Sequence, residues 1–362
     1  MRPAFSFRTD EARSAKEGRM GEDGERGRVL VTGVSGFIGR HLVREFLEHG
    51  YAVRGTVRDD AKVDPVRAGL AKEVDVSRLE FALADLTQDE GWLEAARDTR
   101  FVVHAASPFP LRQPKDPNVL VRPAVDGTMR VLKAAVAAGA ERFVQTSSIA
   151  AIYPGHSAKS TTIDESFWAD LGSEAASAYV LSKTLAERTA RDFVESDKPA
   201  IDFVSVNPGF VLGPVPEGAV GSSADLIASM LNGRIPVVPR LRLSVVDVRD
   251  VATAHRLAIE RGRAGGRYIA VAGSMWLREM GEVLRRELGE RGRRASRFEL
   301  PDWALRGFSK VVPSLRSIVP ELDNPITFDT ATSERDLGLT FIAPEEALLA
   351  TARSLVEQGL VR

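Results

Sequence analysis

The stretch from Arg28 to Arg58, RVLVTGVSGFIGRHLVREFLEHGYAVRGTVR, constrains this chain more than any other. Arg28–Thr32 is a short β-branched apolar run, the pattern of a strand buried on both faces. Gly33, Gly36 and Gly39 follow at the spacing G-x-x-G-x-x-G. Phe37, Ile38, Leu42, Val43, Phe46 and Leu47 then repeat at helical spacing as far as Gly50, which stands where a C-terminal cap belongs. Ala52–Val57 is a second apolar run. Strand, glycine turn, helix and strand make one complete unit.

The backbone of such a unit dictates its chemistry. The first glycine lets the chain turn sharply off the strand, the second lets a pyrophosphate come close, and the third lets the helix pack on the sheet. Free N–H groups and the positive end of the helix dipole then face the phosphates. The unit reads as a dinucleotide site contacted by Gly33, Gly36, Phe37, Ile38 and Gly39. The end of the second strand chooses the nucleotide, because an acidic residue there binds the NAD ribose and Arg accommodates the 2′-phosphate of NADP. Here the strand ends in Arg58, with Lys62 following, a planar fork and a mobile charge suited to phosphate. NADP(H) is the expected cofactor, and Asp59 and Asp60 leave NAD(H) open.

Composition removes other classes. A net charge of −1 over 362 residues gives no general pull toward nucleic acid or membrane, and no apolar run is long enough to span a bilayer. The lack of cysteine removes disulfides, thiolate metal ligands and thiol nucleophiles, and no metal site is expected. Residues 1–27 are rich in charge and Gly and lack the apolar centre of a signal peptide, which predicts a disordered leader on a cytoplasmic protein.

Downstream, 64–76 reads as a short helix or loop, and Leu79–Leu83 as a third strand that runs into Asp85 and Leu86. Asp85 is placed either to accept from an adenine amino group, with Leu86 against the ring, or to cap a helix predicted over 87–97. Residues 101–103 begin a fourth strand that enters His104-Ala105-Ala106-Ser107, where small residues permit close approach of a ligand and His104 reads as packed. A helix over 118–138, a strand over 142–148, a helix over 174–195 and a strand over 201–206 follow. This rhythm predicts an α/β fold, a Rossmann-type doubly wound parallel sheet over 28–213. Beyond Pro214 the rhythm breaks. Helices at 223–231, 250–260, 276–288 and Pro344–Glu357, with strands at 243–246 and 268–271, predict a smaller C-terminal α/β lobe over 214–362. That lobe is expected to bind mainly substrate, with some segments returning to the Rossmann core.

Tyr179 and Lys183 stand in Y-x-x-x-K, an i,i+4 pair on one helix face, and Ser148 ends the preceding strand. Carbonyl reduction by hydride needs a proton donor at the carbonyl oxygen and a polar group to hold that oxygen. A phenol titrating near 10 is a poor shuttle at neutral pH, and a neighbouring ammonium would bring it down. Lys183 is expected to do this and to hold the nicotinamide ribose, while Ser148 donates to the substrate oxygen.

With these motifs in place, the chain resembles the extended short-chain dehydrogenases/reductases of the NAD-dependent epimerase/dehydratase superfamily. Within them it is similar to the branch of dihydroflavonol 4-reductase, cinnamoyl-CoA reductase and the microbial aldehyde/ketone reductases. VLVTGVSGFIGRHLV, GYAVRGTVRD, ADL, VVHAASPF, FVQTSS, DESFWAD, AYVLSKTLAE, VNPGFVLGP, VVDVRDVATAH, GRYIAVAG and LGLTFIAPEEAL carry the likeness from Arg28 onward. The resemblance implies Ser148, Tyr179 and Lys183 as catalytic residues. It implies Arg58 and Lys62 at the 2′-phosphate, Asp85 and Leu86 at the adenine, Ala105 and Ser107 along the cofactor channel, and Pro208 beside the nicotinamide. The implied reaction is reversible reduction of an aldehyde or ketone by NADPH, in a pocket of Phe109, Tyr153 and Phe210. Plant flavonoid reductases typically carry Asn where this chain has Tyr153, so a flavonoid substrate is not expected. A nucleotide-sugar epimerase or dehydratase, a hydroxysteroid-type dehydrogenase and a non-catalytic NADP sensor are the alternatives. The expected partner is a small carbonyl or alcohol, not nucleic acid or membrane, and monomer and homodimer are equally compatible.

Overall fold

The first strand, β1 (Arg28–Thr32), turns through its glycines into helix α1 (Phe37–Glu48) and returns as β2 (Ala52–Val57). The structure, a computed structural model, describes residues 26–107, 116–155, 162–310, 319–322 and 326–361. Helix α2 (Val63–Leu70), β3 (Leu79–Leu83), α3 (Trp92–Ala96), β4 (Phe101–His104), α4 (Asn118–Ala137) and β5 (Arg142–Thr146) continue the alternation. Then come the short β6 (Thr162–Ile163), α5 (Ala178–Asp197) and β7 (Asp202–Pro208). The remainder runs β8 (Phe210–Leu212), α6 (Ser222–Leu231), β9 (Val237–Pro239), β10 (Arg242–Asp247), α7 (Val248–Glu260) and β11 (Arg267–Ala270). It ends with β12 (Gly273–Trp276), α8 (Leu277–Leu288), β13 (Phe298–Leu300), α9 (Asp302–Ser309), β14 (Thr327–Phe328), α10 (Ala331–Leu337) and α11 (Pro344–Glu357).

Seven strands form one parallel sheet in the order β3-β2-β1-β4-β5-β7-β11. Both faces are covered, so the central strands β1 and β4 are buried almost along their whole length instead of alternating. Val29, Val31, Val103 and Val144 pack under α1 and α7, whereas Leu30, Val102, Phe143 and Phe203 pack under α3 and α4. The strand order reverses between β1 and β4. At such a point the helices leave to opposite sides and a crevice opens at the carboxyl ends of the strands. A three-stranded sheet (β12-β10-β8) packs with α6, α8 and α11 around a second core, in which Ile227, Met280 and Leu348 are buried. Among the described residues no helix is long and apolar enough to cross a membrane.

The differences from the sequence reading have local causes. Helix α5 begins at Ala178 and not at residue 174, because Ser177 caps it, its Oγ accepting from the Val180 N–H at 3.3 Å. The helix predicted over 87–97 is only α3, because left-handed Gly91 (φ 84°) precedes it and Asp85 closes a turn onto Thr87 instead. Strand β7 extends to Pro208, paired with Ala270 of β11. The short strands β6, β8, β9 and β12–β14 and the helices α9 and α10 lack the run length that periodicity requires and were not legible. Of the leader predicted over 1–27, all but the last two residues lie outside the described residues, and there Arg26 pairs with Glu260 at 2.7 Å.

The third glycine of the turn has a packing role that a single methyl group would test. A Cβ on Gly39 would meet the Gly33 carbonyl and lie 2.9 Å from the Val34 Cα, both backbone atoms that cannot rotate away. Gly39→Ala is expected to lower unfolding stability by about 1–3 kcal/mol, read as a shift of the urea midpoint at constant slope. A midpoint equal to wild type would show that helix and turn separate freely.

Candidate active site

The crevice at the β1/β4 switch is lined first by backbone. Gly33 has φ 74°, and a Cβ there would lie 3.0 Å from the Ala106 Cα beyond the end of β4. Glycine is therefore required by both conformation and space. Gly36 is exposed, and a Cβ on it would meet only the Gly33 carbonyl, at 3.4 Å. It is the N-cap of α1, no side chain caps the helix, and the first turn holds no acidic residue. An anion is thus offered uncapped N–H groups, the helix dipole and room for close approach. Phe37 and Ile38 begin this helix, Phe37 buried with its ring edge against His41 and Ile38 packed on the sheet core. On the far side Thr32 ties the crevice together, accepting from the Ala106 N–H at 2.9 Å and meeting His104 Nδ1 at 3.0 Å. His104 Nε2 meets Thr128 Oγ1 at 3.1 Å, and burial holds the ring's pKa down at about 3. His104 is a neutral structural bridge. Ala105 and Ser107 follow at the mouth, half-buried.

The other end of the crevice is cationic. Arg58 follows β2 directly, and Lys62 lies in a single 3₁₀ turn; both are exposed, and neither has an ion pair among the described residues. Asp85 stands beyond β3, its carboxyl held below the usual carboxylate range by the Thr87 N–H and hydroxyl, with burial opposing and Arg58 adding a smaller pull. Its Oδ1 accepts from the Thr87 N–H at 2.8 Å, so it closes a turn and caps no helix. Leu86 packs partly on the core, against the backbone at Gly127. A helix start with uncapped N–H groups and a guanidinium with no ion pair among the described residues thus stand beyond the ends of the neighbouring strands β1 and β2.

The catalytic residues expected from sequence meet at the carboxyl edge of β5. Strand β5 stops at Thr146, short of the predicted 148, because Ser148 caps the 3₁₀ turn Ile149–Ala151 instead, its Oγ accepting from the Ala150 N–H at 3.1 Å. The same Oγ lies 3.5 Å from the Pro208 carbonyl at the end of β7 and hydrogen-bonds the Tyr179 phenol. Lys183 is one helical turn beyond Tyr179, buried, with Nζ donating to the Thr146 carbonyl at 3.1 Å. Burial pulls its pKa down to about 8 against the attraction of Glu187. The phenol behaves otherwise than the sequence suggested. Burial pushes the Tyr179 pKa up, opposed only by the Ser148 hydrogen bond. The ammonium is turned toward Thr146, and a dehydrated site favours the neutral phenol. Tyr179 therefore keeps its phenolic proton at neutral pH.

Tyr153 is also near, its hydroxyl donating to Glu321 Oε2 at 3.0 Å and its ring edge-on to Phe328 at 5.6 Å. Phe210 lies on β8, half-buried against the C-terminal core. Phe109 falls outside the described residues.

Sequence reasoning missed a set of buried polar residues behind the triad. Glu187, fully buried, accepts from Ser147 Oγ at 2.6 Å, Ser205 Oγ at 2.8 Å and Asn207 Nδ2 at 3.0 Å, and pairs with Arg267 at 2.7 Å and Arg191 at 3.1 Å. One signal was available. Tyr179, Lys183, Glu187 and Arg191 recur every fourth residue, a polar stripe on the helix face turned to the sheet.

The profile of the family described as NAD dependent epimerase/dehydratase matches residues 29–272. The chain belongs to this family. Within it, among the extended short-chain dehydrogenases/reductases, this family member is similar to named reductases. A cinnamoyl-CoA reductase of Medicago truncatula is 33% identical over 336 residues, 91% of this chain and 92% of that protein. A ketoreductase of Aspergillus niger is 31% identical over 92% of this chain and 98% of its own. Among solved structures, the yeast methylglyoxal/isovaleraldehyde reductase Gre2 complexed with NADPH superposes with a TM-score of 0.77. It is 25% identical and covers 92% of this chain and 100% of its own.

Proposed function

We propose that this protein is an NADPH-dependent reductase of an aldehyde or ketone, acting through Tyr179, Ser148 and Lys183. Reductases among the similar proteins, and NADPH in the Gre2 complex, support the class and the cofactor. The observation that carries the assignment of roles is the Tyr179 phenol, kept protonated by burial and hydrogen-bonded to Ser148 at the carboxyl edge of the sheet. NADPH supplies a hydride at its nicotinamide C4. The chain supplies the remainder. Gly33, Gly36, Phe37, Ile38 and Gly39 hold the pyrophosphate, and Arg58, with Lys62, the 2′-phosphate. Asp85 and Leu86 border the adenine, Ala105 and Ser107 the channel, and Pro208 the nicotinamide ring. Ser148 Oγ donates to the substrate carbonyl oxygen and polarises it, and Tyr179 gives that oxygen its phenolic proton. Lys183 stabilises the phenolate left behind and releases its hold as solvent reprotonates the phenol. Tyr153 and Phe210 form walls of the substrate pocket. In the reverse direction the phenolate must be present first, and burial makes that state costly. Alcohol oxidation is accordingly displaced to alkaline pH.

A nucleotide-sugar epimerase would use the same three side chains. Arg58 at the end of β2, in place of an acid, favours the NADP-linked reductase.

The test is NADPH consumption against methylglyoxal, isovaleraldehyde, aromatic ketones and cinnamoyl thioesters at neutral pH. Turnover of at least one, with oxidation of its alcohol emerging only on the alkaline side, is the expected result. A protein that binds NADPH and reduces none of these carbonyls would overturn the reading.

A further inference from the structure

The carboxylate of Glu187 has no exposed surface and lies one helical turn beyond Lys183, behind the triad and away from the crevice. A buried charge persists only where it is paired and fully hydrogen-bonded, and this one is both. Arg267 reaches it from β11, its guanidinium stacked 3.8 Å above the Trp168 ring while Nη1 donates to the Glu165 and Phe167 carbonyls at 2.6 Å each. Arg191 reaches it from the next turn of α5, also donating to the Gly265 carbonyl at 2.7 Å. These contacts fix the carboxylate relative to the sheet.

What Glu187 holds in turn is the catalytic edge. Ser147 donates to its Oε2 and is the residue immediately before Ser148. Asn207 donates to the same oxygen and, from the same Nδ2, to the Ser148 carbonyl at 3.2 Å; Pro208 is the next residue. One carboxylate oxygen therefore clamps the ends of β5 and β7 together where Ser148 and the Pro208 carbonyl meet. We infer that Glu187 is a positioning residue for carbonyl reduction, acting on Ser148 through Ser147 and Asn207 and on Lys183 through its charge. The inference rests on the reductase reading for the reaction but has an independent readout in Lys183.

The other groups facing Lys183 do not substitute for that charge. His104 from β4 and His255 from α7 are both buried and neutral at working pH, burial having lowered them to about 3 and about 4. Thr146 of β5 offers a carbonyl and Tyr179 a neutral phenol. Glu187 is the one anion among the described groups that act on Lys183. Removing its charge makes the ammonium easier to lose, so the sign of the effect is a downward shift.

The experiment is a fluorescence titration of NADPH between about pH 6 and 10 on wild type, Glu187→Gln and the double variant E187Q/R267Q, with far-UV circular dichroism as a check on folding. The double variant removes cation and anion together, so it keeps the test open if Gln alone leaves too much buried positive charge to fold. In wild type the affinity falls as Lys183 deprotonates near its pKa of about 8. The expected result in a folded variant is the same fall about one pH unit lower, with affinity at the acid end within about threefold of wild type. For a carbonyl that wild type reduces, kcat falls on the order of 10- to 100-fold with KM little changed. An unmoved pH midpoint in a folded variant overturns the inference, as does affinity lost equally at every pH, which is what a purely structural residue gives. Wild type that binds NADPH and reduces no carbonyl would sink the reductase reading, while the midpoint shift would still report on Glu187 and Lys183.

Discussion

Replacing Tyr179 with Phe is expected to lower kcat for carbonyl reduction by about 10²- to 10⁴-fold, the usual range for loss of a positioned general acid, with NADPH affinity within about threefold of wild type. The two quantities separate because the ring and the hydroxyl do different things. The ring packs against Ala150, Ala169 and Val180, contacts that Phe retains. The hydroxyl bonds Ser148 and carries the proton that the product oxygen requires. Loss of one buried hydroxyl leaves Ser148 Oγ still bonded to the Ala150 N–H, so the fold is not at risk. Steady-state kinetics and a fluorescence titration on the same preparation check both halves. Turnover near the wild-type rate would remove Tyr179 from the mechanism and leave the proton to another group. Loss of NADPH binding would mean that the phenol serves mainly to hold the cofactor.

The second large effect is expected at Arg58. Arg58→Ala should weaken NADPH by about 10- to 100-fold, the worth of a charge-assisted bidentate contact, and leave NADH within about twofold. The asymmetry follows from where the side chain stands. Arg58 is exposed at the end of β2 and has no ion pair among the described residues, so its removal breaks no internal contact and only the extra phosphate registers the loss. The measurement is a parallel titration of both nucleotides against wild type and variant. Equal losses for NADPH and NADH would mean that Arg58 supports the crevice as a whole. No loss for either would assign the 2′-phosphate to Lys62 or to another cation.

Much of the local geometry of the candidate site is legible in the sequence, and for an identifiable reason. The glycine turn, the strand before it and the helix after it are contiguous in the chain, so spacing alone reports their geometry. Gly33 has the positive φ that a sharp turn off the strand needs, Gly36 stands at an uncapped helix start, and Gly39 packs against the Gly33 carbonyl. Tyr179 and Lys183 are one helical turn apart, and any helix through them puts both on one face. The boundaries of α5 and of the segment after Asp85 were less legible, because Ser177 and Gly91 each stop a helix that periodicity alone would continue. The short strands of the C-terminal region lay below any periodic signal.

By itself, then, the sequence determined the strand–glycine turn–helix–strand unit, the α/β alternation, the Arg at the end of β2 and the Tyr–Lys pair, all set by residues within a few turns of one another. Only the tertiary structure decided which way the phenol's pKa moves and what stands behind the triad. The first depends on burial, which is a property of every element packed around Tyr179 and not of its neighbours in the chain. The second depends on Ser147, Glu187, Asn207 and Arg267 arriving at one point from four separate elements. Such convergence exists only once the sheet has brought β5, β7 and β11 side by side.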